Sequence, residues 1–152
     1  MRNFRDTNIQ NPFIGYQYQV KEAYVMYLST IPWDFFVTGT TRYDLTLKSA
    51  RRLAERWYAR IRLLNQTMFF WVAEPFELKD GHHIHGLLKL PDCSKQYFDI
   101  LTGSWQWATG NSDNEKTKWN YLHLVNYDPR RGAAGYCAKY VLKSHSDFDM
   151  LC

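Results

Sequence analysis

Apolar residues recur at helical spacing in some stretches of the chain and alternate or cluster at strand spacing in others, and the two kinds follow one another in order. Over 20–31 the positions Val20, Ala23, Tyr24, Tyr27, Leu28 and Ile31 trace one face of a leading helix, which Pro32 closes. Residues 33–42, aromatic and β-branched, predict a buried strand that runs out into polar residues. Ala50, Leu53, Ala54, Trp57, Ile61 and Leu64 then form a helical stripe, with Asp44 or Thr46 available as its cap. Residues 68–74 read as a second strand and Lys79-Asp80-Gly81 as a turn, and a third strand containing His83 and His85 runs on to Pro91. The second and third strands should pair as an antiparallel hairpin.

A helix over 94–107, interrupted by Gly103, follows, then a polar loop over 110–118 and a fourth strand over 119–127. Asp128-Pro129-Arg130-Arg131-Gly132 supplies turn chemistry, and 133–143 reads as a final helix. Residues 1–19, with Asn, Gln, Pro12 and Gly15, read as an arm that is ordered only where it lies against something, leaving 20–152 as a single domain. After the leading helix the order is β-α-β-β-α-β. That predicts an α+β, ferredoxin-like (RRM-like) fold, a central antiparallel sheet with helices on one face. The other face is left for a site, and the final helix could cross it.

Composition shifts this picture modestly. Aromatic residues make up 17% of 152 residues, including 6 Trp and 11 Tyr, enough to fill a core and also to suit a surface that stacks on bases. The net charge of +4 is a mild bias toward polyanions. The helix over 44–64 carries Lys48, Arg51, Arg52, Arg56, Arg60 and Arg62, which either form a solvated face or steer DNA. Cys93, Cys137 and Cys152 have neither the even count of a disulfide framework nor the close pairs of a zinc knuckle. With no signal-peptide pattern and no membrane-spanning run, the expectation is a soluble cytoplasmic protein.

Candidate chemistry centres on Gly81-His82-His83-Ile84-His85-Gly86. In a strand, His83 and His85 point to the same face, and two neutral imidazoles can hold a divalent metal, although such a pair can also be simply hydrogen-bonded or solvated. His82 points the other way and reads as exposed. Hairpin pairing could bring Glu74 to the two histidines, completing a mixed oxygen and nitrogen set suited to Mg²⁺ or Mn²⁺ acting on a phosphate, with Glu77 and Asp80 as competitors for the third place. Downstream, Tyr136 and Tyr140 lie one helical turn apart, each followed three residues later by a lysine, Lys139 and Lys143. An ammonium or metal beside a tyrosine stabilises the phenolate that can attack an electrophile, and the same tandem could equally be an ordinary amphipathic surface.

The ordered combination of His83-Ile84-His85 with Tyr136-Cys137-Ala138-Lys139-Tyr140 resembles the HUH endonucleases, in which two histidines flank a bulky hydrophobic residue. Among them it is most similar to the rolling-circle replication initiators of small single-stranded-DNA viruses, phages and plasmids. Phe35-Phe36-Val37-Thr38 is similar to the family's first motif, and Glu74 stands where many members carry a third metal ligand. The resemblance spans about 33–145. It implies Mg²⁺ or Mn²⁺ held by His83, His85 and Glu74, and Tyr136 attacking a phosphodiester of origin single-stranded DNA to leave a 5′-phosphotyrosine. It also implies that Lys139 supports the charge and that Tyr140 is a second nucleophile or a packing residue. Lys143, Arg130, Arg131 and Arg42 are the candidate DNA contacts.

The chain contains no Gly-x-x-x-x-Gly-Lys-[Ser/Thr] loop, so unwinding is expected from a separate host helicase, with a host polymerase extending the end, unless the chain is an excised domain. The expected location is then the host cytoplasm, or the nucleus of a eukaryotic host. Two other readings stand beside this one: a single-stranded-DNA transposase of the same chemistry, and a non-catalytic RRM-like nucleic-acid-binding module.

Overall fold

The computed structural model describes residues 12–64, 66–91, 96–110 and 120–152. The first part of the expected arm, Cys93, the start of the third expected helix, most of the polar loop and Trp119 lie outside the described residues. The elements are helix α1 Pro12–Ser29, strand β1 Phe35–Gly39, helix α2 Leu47–Ile61, strands β2 Met68–Pro75 and β3 His82–Lys89, helix α3 Gln96–Ala108, strand β4 Leu122–Asn126, helix α4 Ala133–Ala138 and strand β5 Phe148–Leu151. They form a mixed α+β fold around a five-stranded antiparallel sheet of order β4-β1-β3-β2-β5. Its first four strands have the ferredoxin-like arrangement.

Local chemistry sets the boundaries. Thr46, in extended backbone, accepts from the Ser49 N–H at 3.1 Å and so caps α2, as one of the two expected residues should. Gly81 takes φ +96° at the hairpin turn, a conformation that costs glycine little. Alternation then divides the sheet into two faces. Phe35, Val37, Phe69, Trp71, Ile84, Leu88, Leu122 and Leu124 turn to one core, where Trp57 of α2 packs edge-on against Trp105 of α3 and against Phe69. Each fully buried side chain of this size contributes about 1.5–3 kcal/mol.

The opposite face carries a smaller core, in which Leu28 of α1 meets Phe70, Val72 and Leu87 of the sheet and Ala134, Cys137 and Tyr140 of the chain at and after α4. The final helix does cross this face, and α1 packs beside it. Together they cover the part of the sheet around β2 and β3, leaving Phe36, His123 and Val125 of β1 and β4 at the wall of an open cavity of about 350 Å³.

Several expectations change. α1 starts at Pro12, eight residues before the apolar spacing begins, because its first turns extend ahead of the stretch that packs on the sheet. The final helix is short: after Ala138 the chain tightens into i→i+3 turns, with the N–H groups of Tyr140, Val141 and Lys143 donating to Cys137, Ala138 and Tyr140. β5 was not expected from the sequence. It pairs with β2 and is tied down by Arg51, whose guanidinium donates to Asp147 and Asp149 at 2.7–2.8 Å. No helix among the described residues is long and apolar enough to cross a membrane.

Candidate metal centre

The hairpin register places Glu74 opposite His83 and Val72 opposite His85, while Thr38 of β1 lies opposite His85 on its other side. Period-2 alternation then sends Glu74, His83, His85 and Thr38 to the same face. Glu74 Oε2 lies 3.2 Å from His83 Nε2 and 2.9 Å from His85 Nε2, and the three donor atoms fall within 4.8 Å of one another. Neighbouring ligands of an octahedral ion with bonds of about 2.1 Å sit about 3 Å apart, so the spacing and the mixed carboxylate–imidazole chemistry fit Mg²⁺ or Mn²⁺.

Surrounding groups hold these donors in place. Thr38 Oγ1 lies 3.0 Å from His85 Nδ1, where it can accept from an Nδ1–H, the tautomer that frees Nε2 for a cation. Phe36 stacks on the His85 ring at 5.5 Å, and Phe76 packs against His83 at 4.8 Å. Burial lowers both imidazole pKa values, that of His85 to about 4, outweighing the opposing effect of Glu74. Both rings are therefore neutral at pH 7, as ligands must be. Each contact with Glu74 is a hydrogen bond while Nε2 carries the proton, and at His85 a cation would take that proton's place as the ring shifts to the Nδ1–H tautomer held by Thr38. Burial would raise the Glu74 pKa, but hydrogen bonds from Tyr136 and Tyr140 and the neighbouring histidines bring it below the ordinary value.

Both tyrosines reach this carboxylate. Tyr136 donates its hydroxyl to Glu74 Oε2, the oxygen that faces the histidines, and Tyr140 donates to Oε1. Their rings are 5.6 Å apart although α4 ends between them, because the turn that follows keeps both on one side. The Lys139 ammonium sits over both rings, 4.1 Å from that of Tyr136 and 4.7 Å from that of Tyr140. Burial, then the bond to Glu74, pushes the Tyr136 hydroxyl up to about 12 and raises that of Tyr140 as well. Without a cation, both phenols hold their protons.

Thus Glu74, His83, His85, Tyr136, Lys139 and Tyr140 are brought together. Glu77 and Asp80 are exposed in the turn, outside the metal cluster. His82 faces the other way but is half-buried rather than exposed, with Nδ1 2.7 Å from the Leu45 carbonyl. Among the candidate DNA contacts, Arg131 lines the cavity beside Tyr136, Arg130 is exposed and held by Asp128 at 3.0 Å, Lys143 lies over the Tyr140 ring at 4.7 Å, and Arg42 is exposed at the far end of β1. The basic helix α2 packs on the opposite face of the sheet. Sequence reasoning missed the ring support from Phe36 and the cavity residues His123, Asn126 and Asp128. Alternation along β4 was the available signal for His123, which shares a face with Val125.

No protein-family model, curated protein or solved structure matches the chain. The positions of its own residues establish an α+β domain with a His-His-Glu cluster of metal-site character.

Proposed function

We propose that this protein is a metal-dependent enzyme that nicks and rejoins single-stranded DNA at a replication origin, as the rolling-circle initiators it resembles do. One observation carries the reading: the Tyr136 hydroxyl shares Glu74 Oε2 with the two imidazoles, so a nucleophile and a three-donor metal set meet at one point. A divalent ion held there would supply Lewis-acid polarisation of the scissile phosphodiester. Tyr136 gives up its proton to solvent in the open cavity, and its oxygen bonds to phosphorus. The P–O3′ bond breaks, and the 3′-oxygen takes up a proton to leave as a hydroxyl. Lys139, over the ring, stabilises the phenolate before attack and the phosphate charge after it. The cavity bounded by Phe36, His123, Val125, Arg131 and Tyr136 is where the strand next to the scissile phosphate would lie. Because the phosphotyrosine bond replaces the phosphodiester one for one, a 3′-hydroxyl can reverse the step and join the strand.

The test is incubation with labelled single-stranded oligonucleotides from the protein's own replicon plus Mn²⁺, followed by a denaturing gel. The expected result is a denaturation-resistant adduct and a fragment ending in a 3′-hydroxyl, both lost with a chelator. Strand binding with no adduct under any divalent ion would instead make this a binding module of RRM type, a reading that the exposed rings of His123 on β4 and of Tyr121 just before it would suit.

A further inference from the structure

Tandem tyrosines one turn apart invite the view that both attack, but their surroundings differ. Tyr136 lines the open cavity, whereas Tyr140 is only 4% exposed and belongs to the core that α1 and α4 build with the sheet. Their partners differ too. Tyr136 bonds the oxygen of Glu74 that faces the histidines, and Tyr140 bonds the other one. A carboxylate turns about its terminal torsion, which is broad and only weakly confined by its own chemistry. A buried donor fixed on Oε1 removes that freedom and leaves Oε2 pointing between His83 Nε2 and His85 Nε2.

We infer that Tyr140 is a positioning residue: its hydroxyl holds Oε1 of Glu74 so that Oε2 is presented to a divalent ion, and Tyr136 alone attacks the phosphate. The inference rests on the proposed metal site and deepens it. The lysines fit this division. Lys139 lies over both rings and serves the attacking one, while Lys143 lies over Tyr140 alone and extends outward into solvent.

The experiment measures binding of Mn²⁺ alone, by calorimetry and by the electron paramagnetic resonance signal of the free ion, in the full chain and in Tyr140→Phe. Losing a partner that orients a ligand typically weakens a metal 10–100-fold, and a loss of about that size is expected. Adduct formation by Tyr140→Phe should be slowed at limiting Mn²⁺ and restored at saturating Mn²⁺, a recovery that damage to the core would not show. Metal-free melting curves of the two proteins separate loss of fold from loss of affinity, and Glu74→Gln, which keeps the side chain's shape, should abolish tight binding in a folded chain.

Unchanged Mn²⁺ affinity in Tyr140→Phe overturns the inference while leaving the metal site standing. An adduct formed through Tyr140 in Tyr136→Phe overturns it as well. Wild-type protein that takes up no Mn²⁺ overturns both the inference and the site on which it rests.

Discussion

Thr38 illustrates how one hydroxyl can decide what an imidazole does. Its Oγ1 meets His85 Nδ1 at 3.0 Å from the neighbouring strand, so Thr38→Val, which keeps the shape and removes the acceptor, should weaken Mn²⁺ binding about 10-fold or more by calorimetry, with little change in melting temperature. Equal affinity would mean that packing on Phe36 and the hydrogen bond to the Val37 backbone suffice to orient the ring. Cys137 tests the burial of α4. Its thiol is fully buried and pushed up to about 12, first by burial and then by the charge of Glu74, so it should resist iodoacetamide at about pH 8 in the native protein and react once unfolded. Rapid native labelling at Cys137, as distinct from the exposed Cys152, would show that α4 is not packed on the sheet. At this scale the histidine pair and Glu74 were legible, because strand alternation and hairpin register follow from residue types and turn position. The Tyr140 hydroxyl was not, since nothing in its spacing tells an attacking phenol from a buried one.

The hairpin itself depends on a close approach that only glycine permits. A methyl at Gly86 would sit 2.6 Å from the Phe70 carbonyl and overlap the Phe69 ring, so Gly86→Ala should cost about 1–3 kcal/mol, read as a lower melting temperature. Retained stability would mean that the two strands can separate there without loss. β5 depends instead on Arg51, which joins Asp147 and Asp149 and lies over the Trp71 ring at 5.3 Å. These charges are partly exposed and screened, so Arg51→Ala should cost on the order of 1 kcal/mol, with faster amide exchange confined to β5. Four residues give too short an alternation to announce a strand, and the ion pairs that hold it come from more than ninety positions away, which is why the sequence pattern did not reveal it. The four strands of the ferredoxin-like core were legible because each carries a longer apolar or aromatic run bounded by turn residues.

Over the whole molecule, the sheet separates two kinds of surface. One face is closed by α2 and α3, with the basic side chains of α2 beyond it, and the other carries the candidate metal centre and the open cavity. Net positive charge alone could not tell which basic residues would meet DNA on the proposed reading. The layering makes a sharper division: Arg131→Ala should weaken single-strand binding and lower the salt dependence by about 0.7 for each phosphate that the guanidinium neutralises, whereas Lys48→Ala and Arg52→Ala should leave both unchanged. Fluorescence anisotropy across a salt series checks this, and equal effects from both faces would contradict it. If Tyr136, beside the His-His-Glu cluster, becomes covalently joined to DNA as proposed, the bond can be located on that residue. After reaction with an origin-derived strand and Mn²⁺, followed by nuclease trimming and peptide mass spectrometry, a nucleotide-sized mass is expected on Tyr136, absent with a chelator and in Tyr136→Phe. A modified residue elsewhere, or an unmodified Tyr136 after the strand has been cut, would contradict it.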